Sequence, residues 1–570
     1  MKDFQNEITA YALKNAIEFR KAEPSKILPK LFQYGLKKEE IGKIMPLIEK
    51  IVNEINQISN EEKEKRFNEY KKYLKEKKEE KEGALPELPN ISDNMKFRLA
   101  PYPSGALHIG NAKTYILNAL YAQKYNAKLI FVMDDTIGSE EKQISEEAYN
   151  LIPEAFDWLN VKYEKPIIYK SDRLEIYYKY GEQLIKDGKA YVCNCSQEEL
   201  RERRKKGIEC NCRKIESDEQ LKRWKKMFTA KEGEMVVRLK TDMQHPNPAF
   251  RDRVLFKISE RKHPRVGNKF RVWPTLEMSW AIDDYLLGVT HIIRGNDLMI
   301  ETDMERFIWD IFKWKHPEII HTALIRIEGI GAKISKSKAQ KEVKSGEFIG
   351  WDDPRTWSIQ SLKRRGFQKE AIIEFVKSLG LNNRDLIVPI ESLYAINRKI
   401  IDDKANRYFF IQNPKKLFIR NAPKIITKIP LHPDNPKKGF RTIKTNGEFY
   451  VDKSDLDKIK KEKIKFLRLM HLYNVEIKGR FFDFHSTEIN KELSAQMIHW
   501  LPADWKNIKK LVMIRILMPE GKWIDGFAEE EISKIKKDEI IQFERFGFCR
   551  FDNIKEIKEG KVYEFWFSHK

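Results

Sequence analysis

Two loops carry most of the residues whose type and spacing could do chemistry. The first, RLAPYPSGALHIGN (98–111), runs directly into a segment with helical apolar spacing. Prolines including Pro101, with Gly105, hold the turn, and Gly105 and Gly110 would let a nucleotide approach the backbone. The amino end of the following helix presents unpaired N–H groups to a phosphate, and His108 is placed to donate to the same anion. Alone, a histidine at a helix start is an ordinary cap residue. The second loop, AKISKSKAQ (332–340), sets Lys333, Lys336 and Lys338 among Ser335 and Ser337. Alone it reads as a solvated basic loop; together the two are a sharper signal. A separate cluster is Cys193-Asn-Cys195, fourteen residues, then Cys210-Asn-Cys212. Four thiolates in two close pairs can form a tetrahedral zinc site. Free thiols and disulfides are the other readings, and C-x-C is tighter than the commoner C-x2-C. Cys549 reads as a packing residue.

The first loop needs a scaffold, and its flanks supply one. KFRLA (96–100) and KLIFVM (128–133) read as strands around a helix that sets Ile116, Leu117, Leu120 and Tyr121 on one face. Strand, loop, helix, strand in about 40 residues is a parallel βαβ unit of a doubly wound sheet. Ligands of such sheets bind beyond the carboxyl ends of the strands, where the first loop and Asp134 lie. A third strand, GVTHIIRG (288–295), puts Arg294 at its own carboxyl end. Between them, about 190 to 272, four cysteines, a charged helix and the strands VVRLK and VLFKI read as an insertion. Residues 1 to about 85 read as helical, with the mixed-charge run 61–82 as an exposed helix and GALPELPN (83–90) as a linker. A helical segment follows about residue 350, and from about 385 short strands broken by Pro, Gly and Asn suggest all-β modules.

Composition bounds the function. The 570 residues suit three to five domains, and 41% hydrophobic with 34% charged residues exclude a wholly disordered chain. No apolar run of about 18 residues exists, so no membrane span is expected. The first residues lack an apolar signal core, which predicts a cytoplasmic address. The formal net charge of +22 favours a polyanionic partner, RNA or DNA first. Residues 401–510 hold 24 Lys+Arg against 13 Asp+Glu, half of the whole excess.

PSGALHIGN resembles the HIGH signature, and KISKS the KMSKS signature, of class I aminoacyl-tRNA synthetases. GVTHIIRGNDL (288–298), GWDDPR (350–355), KANRYFF (404–410), YALKNA (11–16) and FERFGF (543–548) resemble more particularly the archaeal-type glutamyl enzymes, which group with the glutaminyl ones. The resemblance covers essentially the whole chain. It implies a Rossmann-type catalytic domain (91–192 and 273–345) after an N-terminal helical region (1–90). It further implies a zinc-containing, acceptor-end-binding insertion (193–272), a helical connecting domain (346–400) and two β-barrel anticodon-binding domains (401–570). It also implies that Pro101, Gly105, His108, Gly110, Asn111, Lys333, Ser335, Lys336 and Ser337 bind ATP with Mg²⁺, with His108 and Lys336 catalytic. Arg98 would meet the substrate's side-chain end, Asp134 would hold the α-amino group and Arg294 would lie at the adenylate site. The partners would be tRNA(Glu), L-glutamate and ATP, acting on a monomer. Glutamate's two carboxylates and one ammonium suit two arginines and an aspartate. Cys193, Cys195, Cys210 and Cys212 would hold structural zinc.

Three departures stand out. Asn111 replaces the second His of HIGH, Val132-Met133 and Ile137-Gly138 flank Asp134-Asp135-Thr136 in place of the family's usual residues, and Ile334 replaces the Met of KMSKS. The close alternative is glutaminyl or non-discriminating specificity. A catalytically weak tRNA-binding paralogue and an adenylyl-transferring enzyme with another acceptor are the remaining ones.

Overall fold

Helical spacing of apolar residues closes a small core from Ile8, Ala12 and Leu13 of Gln5–Phe19, Ile27 and Leu31 of Pro24–Leu31, and Ile44, Ile48 and Ile55 of Ile41–Gln57. These helices and Asn60–Tyr70 form one unit, Met1–Ala84. The computed structural model describes all residues except 1–3, 37–39, 75–84, 140–142, 324, 330–335, 385 and 504–510. The charged run expected as an exposed helix over 61–82 is α-helical to Tyr70, where Ser59 caps the first turn through Glu62 N–H at 3.2 Å. Its last part lies outside the described residues.

The second unit, Leu85–Lys570, is organised by parallel strands. Lys96–Leu99, Lys128–Met133 and Glu164–Tyr169 pair in that order, with the crossover helix Ile109–Lys124 between the first two. The parallel pair His291–Gly295 and Glu318–Thr322 begins beside the first strand. There Thr290 N–H donates to Lys96 O at 2.9 Å, and Lys96 N–H donates to Thr290 Oγ1 at 2.8 Å. Phe97, Leu99, Phe131 and Met133 are buried against Ile116, Leu117 and Tyr121 of the crossover helix. The same core takes in Leu362, Phe375 and Leu393 from the helices that follow residue 358. This is the doubly wound sheet that the strand–loop–helix–strand spacing predicts.

The insertion is a four-stranded antiparallel sheet, Ala190–Cys193, Val236–Leu239, Val254–Ile258 and Val272–Pro274, with the cysteines at one end. One expectation shifts. Leu386–Pro389 is a strand, but it pairs in parallel with Ile325–Glu328 and a helix, Ile390–Ile401, follows it. The β-rich part therefore begins at Asn406 rather than near 385, because a strand's partner cannot be read from its local pattern. It is not all-β, since the helix Lys453–Lys461 lies within it. From there a seven-stranded sheet starts at Asn406–Tyr408 and ends at Phe410–Ile411. Its two edges are thus one continuous piece of chain, so the sheet curls nearly into a barrel and hides its edges. A second β-rich core gathers Leu417, Phe449, Leu467, Tyr473, Val475 and Trp500. Among the described residues no helix is long and apolar enough to cross a membrane.

Candidate active site

A cleft of about 1610 Å³ opens beyond the carboxyl ends of the parallel strands. Six of the residues singled out from the sequence line it: Arg98, His108, Gly110, Asn111, Asp134 and Arg294. Pro101 and Gly105 do not. Pro101 supports the cleft from behind, its carbonyl accepting the Asp134 N–H at 3.0 Å. Gly105 has φ +144°, and a Cβ there would collide with the Trp351 ring. Packing by Trp351 is the visible reason for glycine at that position. Lys333 and Ser335 lie outside the described residues. Lys336 and Ser337 open the helix Lys336–Lys344, and the description of these two ends at the backbone.

The His108 loop is fixed from both sides. His108 is the N-cap of Ile109–Lys124, its Nδ1 accepting the Asn111 N–H at 3.3 Å, while Asn111 Oδ1 accepts the His108 N–H at 3.0 Å. This reciprocal capping box satisfies two helix-end donors. With Nδ1 accepting, the proton of a neutral imidazole sits on Nε2. Asn111 thus has a structural duty, which the comparison with a second histidine did not reveal. Ile109 N–H donates to Trp357 O at 3.2 Å and Ile359 N–H to Leu107 O at 2.8 Å, tying the loop to the segment after GWDDPR.

The opposite wall is a set of buried charge pairs. Arg98, 5% exposed, grips Asp284 with two hydrogen bonds, Nε to Oδ1 and Nη2 to Oδ2 (3.0 Å). Its guanidinium lies 3.5 Å from the Trp280 ring centroid, as does Lys170 Nζ, so one indole face system stabilises two cations. Lys170 Nζ is 3.2 Å from Asp134 Oδ1 and 2.7 Å from Ser279 Oγ, and Trp280 Nε1 donates to Asp134 Oδ2 at 3.0 Å. Burial pushes the Lys170 ammonium down, against the upward pull of Asp134 and Asp283. Arg294 is bidentate to Glu305 at 3.0 and 2.7 Å. Tyr102, beside Asp134, is pushed up to about 12 by burial. Asp284, Lys170, Trp280 and Glu305 escaped the sequence reading. The acidic pair Asp283-Asp284 on the helix Leu276–Leu286, just before the Arg294 strand, was the available signal.

The four cysteines converge. Their sulfur atoms all lie within 4.8 Å of one another, with Cys193 and Cys210 at 3.8 Å. Sulfurs bound at 2.3 Å in a tetrahedron would be about 3.8 Å apart, so the set could hold a metal ion. Cys210 is lowered to about 4 by a hydrogen bond with Cys193, helped by Tyr191, Arg213 N–H and the Arg238 guanidinium, which favours a thiolate. All four thiols are free rather than bridged. Cys195 also lines the cleft. Cys549 is buried in the curled C-terminal sheet, as its packing role predicts.

Comparison with known proteins adds three family matches. The family "tRNA synthetases class I (E and Q), catalytic domain" matches residues 94–403. Two families described as their anticodon-binding domains match 405–496 and 497–552. The chain is 41% identical to a glutamate–tRNA ligase of Methanocaldococcus jannaschii over 98% of this chain and 99% of that one. It is 43% identical to that of Pyrococcus abyssi over 97% and 98%. A glutamate–tRNA ligase of Methanothermobacter thermautotrophicus is 36% identical over the full length of both chains.

Proposed function

The chain belongs to the class I glutamyl/glutaminyl tRNA synthetase family, archaeal glutamyl type, and we propose from that premise that it is a glutamate–tRNA ligase that activates L-glutamate with ATP and esterifies tRNA(Glu). The observation that carries this reading is one cleft lined jointly by the start of the helix Ile109–Lys124 and by Arg98, Asp134 and Arg294. In the first step a glutamate carboxylate attacks the α-phosphorus of Mg²⁺-bound ATP and pyrophosphate leaves. In-line displacement of this kind depends on positioning and charge neutralisation. The helix N–H groups, His108 Nε2–H, Gly110 and Asn111 would seat the phosphates, with Pro101 and Gly105 shaping the loop. Lys333, Ser335, Lys336 and Ser337 of the second loop would bind them as well. In the second step a ribose hydroxyl of the terminal tRNA adenosine attacks the acyl carbon of the glutamyl-adenylate, so that the glutamyl ester forms and AMP leaves.

At the amino-acid end, Arg98 has its Nε and Nη2 edge held by Asp284, so a substrate carboxylate would be met from the Nη1 edge. Asp134 would receive the substrate ammonium, its charge already shared with Lys170. Arg294 would face the adenylate. The test of this step is glutamate-dependent exchange of labelled pyrophosphate into ATP, with tRNA present. Exchange driven by glutamate but not glutamine supports the reading, and exchange indifferent to the amino acid refutes it.

The basic β-rich part from about 401 would read the anticodon, its lysines contacting phosphates and its strands unpaired bases. If so, an anticodon-substituted tRNA(Glu) is charged poorly. In the insertion, Cys193, Cys195, Cys210 and Cys212 would hold zinc, which supplies folding energy to the end of the sheet rather than chemistry. Cys193→Ser with Cys210→Ser is expected to lose about one bound zinc per chain and lower the melting temperature. Elemental analysis with a thermal melt checks both.

A further inference from the structure

Among the described residues, Lys113 in the cleft differs from the buried cations in and beside it. Arg98 faces Asp284, Lys170 faces Asp134 and Arg294 faces Glu305. Lys113 is 1% exposed and lines the same cleft, yet among the described residues no carboxylate pairs with it. Its Nζ donates to Thr322 Oγ1 at 2.8 Å and to Ala323 O at 3.0 Å, both neutral. Burial pushes the ammonium down to about 8, with no neighbouring charge contributing. A buried, unpaired ammonium is costly, and such groups concentrate where a ligand supplies the missing charge.

Its place in the fold says which ligand. Lys113 sits one turn into Ile109–Lys124, two residues after Asn111, on the helix whose amino end faces the cleft. Its acceptors are Thr322, the last residue of the strand Glu318–Thr322, and Ala323 just after it, and the chain continues through Ile325–Glu328 into the lysine-bearing loop. Asn118, on the same helix, is bonded to both backbone groups of Ile293, N–H at 3.3 Å and C=O at 2.8 Å. The helix is therefore stitched to two neighbouring strands, by a neutral amide at one and by a charge at the other.

We propose that Lys113 is a positioning residue of the nucleotide site: it anchors the strand that feeds the lysine-bearing loop against the phosphate-facing helix, and its unpaired charge is completed by the triphosphate. This rests on the ATP-dependent reading above. The amide at 118 shows that neutral stitching suffices for packing, so the charge at 113 answers to an anion.

The experiment compares wild type, Lys113→Gln and Lys113→Met in their affinity for a non-hydrolysable ATP analogue and for adenosine, by calorimetry on the full chain. Adenosine carries no phosphate, so it reports integrity of the site, and the ratio of the two affinities reports the charge. The expected result is a loss of preference for the ATP analogue over adenosine of about tenfold or more in both variants, as for a lost contact to a charged group. Glutamine keeps a polar donor but not the charge, so it should not rescue. An unchanged ratio, whether both affinities hold or both fall together, would overturn the proposal. The outcome is separable from the function itself, because wild-type pyrophosphate exchange tests that reading and the affinity ratio does not depend on it.

Discussion

The two ends of the cleft solve charge in opposite ways. At the proposed amino-acid end the buried cations among the described residues are matched: Arg98 with Asp284, Lys170 with Asp134, Arg294 with Glu305. At the nucleotide end the helix start is closed by neutral bonds between His108 and Asn111, and Lys113 has only neutral partners. On the proposed reading, the first arrangement would hold oriented groups that select a small zwitterion. On that same reading, the second would keep positive potential in reserve for a polyanion that arrives and leaves in each turnover. The difference teaches where a mutation should be felt, in folding at one end and in catalysis at the other.

The contrast breaks most visibly at Arg98. Arg98→Ala leaves Asp284, fully buried, without its partner, and breaking a buried pair costs about 3–5 kcal/mol of stability. The same variant should raise KM for glutamate far more than KM for ATP, because a carboxylate loses its charged contact. Chemical denaturation with steady-state kinetics checks both, and equal changes in the two KM values would remove Arg98 from the specificity pocket.

Next comes Lys336, proposed for the nucleotide end. Lys336→Ala should lower kcat about 100-fold or more, as expected for loss of one transition-state contact of about 2.7–4 kcal/mol. Single-turnover adenylate formation is the measurement, and a near-normal rate would exclude the assigned role.

Asn111→Ala is the mildest of the three. It removes the Oδ1 acceptor of the His108 N–H, a capping interaction of about 0.5–2 kcal/mol. A small drop in melting temperature with a modest rise in KM for ATP is expected. A loss of activity as large as that of Lys336→Ala would show that the Asn111 side chain contacts the reacting phosphate directly.

Much of this was legible in the sequence because the catalytic scaffold is local. The crossover between Lys96–Leu99 and Lys128–Met133 is built from period-two and period-3.6 patterns within 40 residues of each other, and the ligand side of such a sheet follows from topology. The cysteine spacing likewise announced its cluster. What stayed hidden is long-range pairing. Asp284 reaches Arg98 across 186 residues and Thr322 reaches Lys113 across 209, and no local pattern encodes either. The role of Asn111 was hidden differently: it looked like a lost histidine, whereas its spacing of three from His108 is that of a capping box. The curled C-terminal sheet was readable as strands but not as an order, since its two edges come from adjacent residues, 408 and 410.

The most direct test of the whole account is aminoacylation by the full-length chain with labelled glutamate or glutamine, on purified tRNA(Glu) and tRNA(Gln). The account predicts glutamate esterified to tRNA(Glu), with no glutamine attached to either tRNA. Attachment of glutamine, or no glutamate on tRNA(Glu), would contradict it.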